Sequence, residues 1–286
     1  MHWIVADLLM FVSAVALYLA IRRASLANVS VQFNNLAMFG VPLVVFTVMS
    51  GTTRPSFYLS PWLAVFMLFT GVVLSYVSNA LSLKSIELAP NPGYSLIISK
   101  SYVVLTTFLA VPLFGAHLAA HAVLAVIAIV ASSGLIMLKH KKGEHARSSS
   151  WLPLALATFV GWAFLSLAAK FFFRQGVPTL VFLTYLFAIV TVCIAVEMKL
   201  RALSWRMVRE NWSSFVLIGA ASTGFNFFNF YAINIAPNVG YVNATNAASI
   251  GAVTVLAIIF FKDEFSVRKL IGVVGVIAGL LLLFLG

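Results

Sequence analysis

Ala89-Pro90-Asn91-Pro92-Gly93-Tyr94 returns 147 residues later as Ala236-Pro237-Asn238-Val239-Gly240-Tyr241. The offset then runs without a gap to the end of the chain. Thr107, Leu109, Ala110 and Phe114 face Thr254, Leu256, Ala257 and Phe261. It also runs backwards, where Ser75 faces Ser222 and Asn79 faces Asn226. With one more residue of offset, Phe11-Val12 faces Phe159-Val160, and Leu17, Leu19 and Ala20 face Leu165, Leu167 and Ala168. Matched leucines and alanines are cheap in an apolar chain. A matched polar hexapeptide at a constant offset is not, so nearly the whole sequence reads as a tandem repeat.

The repeated material is membrane-like. The 286 residues are 62% hydrophobic and only 9% charged, against about 45–50% and about 25% in ordinary soluble chains. Mean hydropathy is +1.06. Such a composition excludes a soluble enzyme, a nucleic-acid-binding domain and a disulfide scaffold. A bilayer-spanning helix takes roughly 20 mostly apolar residues. Breaks at charges, prolines and glycines leave ten spans, predicted near 3–22, 31–50, 61–83, 92–114, 118–138, 151–173, 178–198, 212–233, 239–261 and 267–285. The runs are too long, and alternate too little, for a β-barrel. The expected fold is an all-α integral membrane protein of ten transmembrane helices. Residues 1–138 form the first five-helix repeat, 139–150 a basic cytoplasmic linker, and 151–286 the second repeat. An odd number of spans per repeat forces the copies into opposite orientations, the inverted-repeat plan of secondary transporters.

The net charge of +11 belongs to the connections between spans, so it speaks of topology, not of nucleic acid. Of the eighteen Lys and Arg, fourteen fall in or beside connections 1–2, 3–4, 5–6, 7–8 and 9–10, three (Arg54, Lys170 and Arg174) on the opposite side, and Lys100 inside span four. The positive-inside bias places the fourteen in the cytoplasm and both termini outside. A multi-pass protein of a bacterial inner (plasma) membrane is the expected setting. Cys193 is the single cysteine, so no intramolecular disulfide is possible.

Polar groups inside a span must face protein or water. At about 100° per residue, Ser95, Ser99, Tyr102 and Thr106 share one stripe of span four, and Asn246 and Ser249 hold the places of Ser99 and Tyr102 in span nine. Ser75, Asn79 and Ser82 share a face of span three. Ser222, Asn226 and Asn229 repeat it in span eight, and Trp162 and Ser166 lie one turn apart in span six. The predicted substrate-binding set is therefore Ser75, Asn79, Ser99, Lys100, Tyr102, Trp162, Ser166, Ser222, Asn226, Asn229, Asn246 and Ser249, with Asn79 and Asn226 expected to face each other across a central cavity. Amide, hydroxyl and aromatic walls suit a small polar or zwitterionic molecule. The competing reading is that Ser and Asn merely join helices. Lys100 is the charge deepest in a span, and its repeat equivalent is Ala247. An isolated intramembrane cation marks a functional site by default, here for a carboxylate or phosphate.

No Asp or Glu falls near a span's midpoint, Asp7, Glu87 and Glu197 all lying near ends, which disfavours cation transport. His117 and His121 have the spacing of a metal pair without a third ligand nearby. No paired acid and base, metal cluster or Gly-rich phosphate loop appears, so neither catalysis nor a cofactor is expected. Gly275 and Gly279 form a G-x-x-x-G that would serve an internal helix contact or a homodimer.

These features together resemble the ten-helix drug/metabolite transporter superfamily, the EamA-like group. The resemblance rests on the five-plus-five repeat, the run Tyr231-Ala232-Ile233-Asn234-Ile235-Ala236-Pro237, the Lys262-Asp263-Glu264 connection, and a last span bearing Gly272, Gly275 and Gly279. It covers essentially the whole chain. The first-half counterpart of Glu264 is His117, a departure from the pattern. The resemblance implies a secondary transporter working by alternating access. Members of the superfamily include amino-acid exporters, and relatives carry nucleotide sugars and sugar phosphates. Export or exchange of an amino acid or related metabolite is the leading expectation. An organic-anion or nucleotide-type exchanger using Lys100 is the second, and a membrane scaffold or intramembrane enzyme the third. The expected partners are the bilayer and the substrate, with the chain a monomer or a homodimer through its Gly-rich helix.

Overall fold

The structure, a computed structural model, describes residues 1–27, 29–89, 92–137, 150–201, 206–262 and 266–285. Residues 139–149 of the predicted linker 139–150, Pro90 and Asn91 of the first motif copy, and Asp263 and Glu264 lie outside them. Ten helices among the described residues are long and apolar enough to cross a membrane: Trp3–Leu26, Val31–Thr53, Pro61–Leu88, Tyr94–Phe114, Ala120–Met137, Trp151–Arg174, Thr179–Leu200, Trp212–Ile235, Val239–Phe261 and Val267–Leu285. These are spans one to ten. Their ends fall within a few residues of the predicted ones because the same charges, prolines and polar caps end them. Ser30 caps span two by accepting the N–H of Phe33, which satisfies one of the four orphan donors of a helix start.

The chain forms two compact units that do not follow its halves. One unit combines Met1–Tyr76 with Ala168–Asn234, the other Val77–Leu167 with Ile235–Gly286. Each draws helices from both halves of the chain, so the compact units divide it differently from the two repeats expected from the sequence. The chain passes between units inside span three, inside span six and at the end of span eight.

In the first unit, span two packs along span seven, with Phe46 edge-on to Phe187 at 5.3 Å between centroids. Phe182 joins Phe172 and Phe230 at 5.5 and 5.2 Å. A second cluster gathers Leu17, Phe33, Ala37 and Ile218 from spans one, two and eight. Span three is not a uniform α-helix. Thr70–Val77 is π-helical between the α-helical Pro61–Phe69 and Ser78–Leu88. π segments interrupt helices most often at functional positions. This one holds Ser75, buried at 6% exposure.

In the second unit, span ten packs on span five, and span nine on spans four and five. The Gly272, Gly275 and Gly279 stripe is used here. A Cβ on Gly272 would lie 2.6 Å from Ile136 Cγ1 and 2.8 Å from the Ser132 carbonyl oxygen, and one on Gly279 would lie 2.6 Å from Ile129 Cγ1. Absent side chains let two backbones approach, which is how helices associate where lipid removes the hydrophobic driving force. The G-x-x-x-G therefore meets span five of its own chain.

The motif that reveals the repeat is explained residue by residue in its second copy. Pro237 cannot continue span eight. Asn238 caps span nine, accepting the N–H of Gly240 at 2.8 Å, and donates its Nδ2 to the Thr107 carbonyl at 3.2 Å. Gly240 lies against Thr107. Tyr241 donates its hydroxyl to the His117 carbonyl. The hexapeptide is a helix stop, a helix start and a clasp on span four.

Candidate functional site

Within the second unit, polar side chains from spans four, six and nine meet at Asn243, which is 1% exposed. Its Nδ2 donates to Thr106 Oγ1 at 3.1 Å. Its Oδ1 accepts from the Tyr102 hydroxyl and the Ser166 hydroxyl, both at 3.4 Å. The two long bonds share one oxygen and hold the amide in a defined rotation. Tyr102 in turn meets Trp162 edge-on, 6.0 Å between centroids at 72°. Lys100 Nζ stands over the same indole, 4.9 Å from its centroid, inside the range of a cation–π contact.

Lys100 and Tyr102 are two residues apart, and side chains so spaced do not face one partner on a regular helix. Span four breaks at Ser101, between the helical stretches Pro92–Lys100 and Tyr102–Phe114. The Ser101 hydroxyl bonds back to the Ile97 carbonyl at 2.7 Å, a bond that bends helices. The break falls between Lys100 and Tyr102, which both reach Trp162. Lys100 is half-buried, with Trp162 as a partner. A small cavity of about 10 Å³ adjoins it, lined by Ser101, Ser133 and Ala247 among others, which is the size of one water molecule.

The other predicted residues divide into groups. Ser99 and Ser249 are fully buried and bond back to their own helices, at the carbonyls of Leu96 and Asn246. Asn246 is 7% exposed, and its Oδ1 is buried without a hydrogen-bond partner among the described residues. Asn79 is half-buried in the second unit. In the first unit, Ser222 donates to the Met38 carbonyl at 2.7 Å, joining spans eight and two. Asn226 donates to Ser222, at its carbonyl and its hydroxyl. Asn229 is 9% exposed with its Oδ1 buried and unpartnered among the described residues. Tyr102, Trp162 and Ser166 are thus brought together with Lys100, while Ser222 serves a helix contact.

Sequence reasoning missed Asn243. Its repeat equivalent is Leu96, so a search for matched polar pairs passes over it. The signal was present in the spacing of Asn243, Asn246 and Ser249, three residues apart on one side of a helix. Two charged residues near span ends also have defined places within the bundle. Asp7, which reads as a span-end residue, has no exposed surface at all. Lys170, near the end of span six, donates to the carbonyls of Ile233 and Asn234 at 2.9 and 2.7 Å. It thereby satisfies carbonyls left without partners at the end of span eight.

Residues 149–285, spans six to ten, match the model of the EamA-like transporter family. This second half of the chain is thus similar to a family of membrane transporters of the drug/metabolite type. One solved crystal structure has the same fold, with a TM-score of 0.80 over 98% of this chain and 96% of that one at 19% identity. At that identity the likeness is of fold alone. No curated protein matches the chain in sequence.

Proposed function

We propose that the chain is a secondary transporter that moves a small polar metabolite, an amino acid or a close relative, by alternating access of two inverted five-helix repeats, in export or exchange. The observation that supports this most is the cluster centred on Asn243. An amide, three hydroxyls, an indole and an ammonium group from three spans converge inside an apolar bundle. Polar groups at that depth are costly and rarely kept for packing alone. An α-amino acid complements them, its carboxylate meeting Lys100 and its ammonium meeting the amide and hydroxyl oxygens. Asn246 of the same unit, whose carbonyl oxygen has no hydrogen-bond partner among the described residues, adds an acceptor of the kind an ammonium group takes. The test is counterflow in proteoliposomes against a panel of amino acids. Accumulation of labelled substrate only in preloaded vesicles supports exchange, and no movement of any panel member removes the reading.

The organic-anion reading rests on Lys100, and a substitution separates it from a structural role. Lys100→Ala is expected to weaken apparent affinity roughly ten- to hundredfold, as loss of a charged hydrogen bond worth about 1.5–3 kcal/mol would. Lys100→Arg recovers only part, because the planar fork is a different shape. Binding of the substrate is compared with that of its neutral amide or ester. An equal loss for both assigns Lys100 to its contact with Trp162 and to the fold.

Topology is the third element of the proposal. Both termini are expected outside, with residues 139–149 in the cytoplasm. A cysteine introduced at residue 145 should be silent to impermeant maleimide in intact cells, and a tag at residue 1 should be reached. The reverse pattern inverts the proposed orientation.

A further inference from the structure

A separate cavity of about 420 Å³ opens on the flank of the first unit, lined by Tyr76 of span three and by span seven from Val192 to Arg201. It shares no residue with the Asn243 cluster. Its walls are apolar: Val192, Val196 and Leu200 are 61%, 52% and 82% exposed. The apolar wall runs for about 12 Å along the helix at 1.5 Å per residue. At one end it meets an acid and a base. Glu197 Oε1 accepts from Arg201 Nε at 2.9 Å, and Glu197 Oε2 accepts from the Tyr76 hydroxyl at 3.0 Å. This end is the terminus of span seven, where a membrane's headgroups begin.

We infer that this groove binds a phospholipid with a primary ammonium headgroup, a phosphatidylethanolamine, with one acyl chain along Val192–Leu200 and the headgroup at Glu197 and Arg201. Charge complementarity selects the occupant. The Arg201 side chain is 61% exposed and its pair with Glu197 uses Nε, while a guanidinium carries four further N–H donors arranged to fork onto a phosphate. Glu197 uses one lone pair on each oxygen and keeps others for an ammonium N–H. An acid and a base side by side suit a zwitterion better than a purely anionic headgroup, which would leave the carboxylate facing negative charge. A trimethylated choline headgroup has no N–H to donate. The volume lies within the range of ordinary ligand sites.

Cys193, the single cysteine of the chain, lines the same groove and reports its occupancy. The full-length protein is reconstituted in nanodiscs of phosphatidylcholine alone, or with phosphatidylethanolamine or phosphatidylglycerol added. Alkylation of Cys193 by N-ethylmaleimide is followed by intact-protein mass spectrometry. Phosphatidylethanolamine should slow alkylation roughly fivefold or more relative to phosphatidylcholine, as a bound ligand protects in proportion to its occupancy. Glu197→Gln and Tyr76→Phe should each erase most of the difference, the second keeping the ring and removing only its hydroxyl. Equal rates in all three lipids overturn the site, and so does a difference that persists in both variants. Protection by phosphatidylglycerol alone makes the occupant an anionic lipid and overturns the zwitterion assignment. None of these outcomes depends on transport.

Discussion

Asn243→Leu is expected to abolish measurable transport while the protein still inserts and stays monodisperse. Leucine is what the first repeat carries at the equivalent position, Leu96, so the span tolerates the side chain as a membrane residue. The loss is local and polar. Thr106 loses the donor at 3.1 Å, and Tyr102 and Ser166 lose their shared acceptor. A buried polar group left without a partner costs about 1–3 kcal/mol. The three hydroxyls can turn partly to their own helices, as Thr106 already does toward the Val103 carbonyl, so fold stability should fall by only a few kcal/mol at most. The site suffers more, because Tyr102 and Ser166 then lose the shared acceptor that fixes their hydroxyls relative to each other. Counterflow and detergent thermal stability read the two effects separately. A variant that transports normally removes Asn243 from the site. One that fails both assays leaves Asn243→Gln and Ser166→Ala as the informative pair. Ser166→Ala deletes one of the two donors to Oδ1 and is expected to slow transport without affecting folding.

The ten spans were legible because lipid imposes a simple rule: about twenty apolar residues, ended by charge or by Pro and Asn. The second copy of the repeated motif has a structural reading, because a helix stop, a cap and a close approach require particular residues, and Pro237, Asn238 and Gly240 are those residues. The site was legible in part. Tyr102, Trp162 and Ser166 lay on predicted stripes and do meet. The break at Ser101 beside Lys100 is not marked by any residue that a helical period would reveal. The π segment in span three has no residue signature that a 3.6-residue period would reveal. Asn243 was hidden by the repeat itself, since symmetry draws attention to matched residues and its counterpart is Leu96. The division into two compact units was not legible either. It depends on which helices pack together, whereas internal homology records only how the sequence is duplicated.

Gly240→Ala is expected to destabilise the protein severely, more than any single polar substitution. Gly240 is helical, since the positive-φ glycines among the described residues are Gly115 and Gly176. Backbone conformation therefore favours alanine here by about 1 kcal/mol. Space decides against it. A Cβ would sit 2.5 Å from Thr107 Cα and 2.6 Å from its Cβ. The obstacle includes main chain inside span four, which cannot swing away as a flexible side chain can. Overpacking typically costs about 1–3 kcal/mol and more where nothing can yield, so the net loss should be about 2 kcal/mol or greater. The damage would spread along both helices. Separating span nine from span four at Gly240 pulls Asn238 from the Thr107 carbonyl and, one turn on, Asn243 from Thr106. Gly51→Ala is the control, because nothing lies within 4 Å of a Cβ there. It should be neutral or slightly stabilising in the same thermal-unfolding measurement. If Gly240→Ala melts with Gly51→Ala and transports normally, spans four and nine do not pack this closely and the Asn243 cluster loses its scaffold.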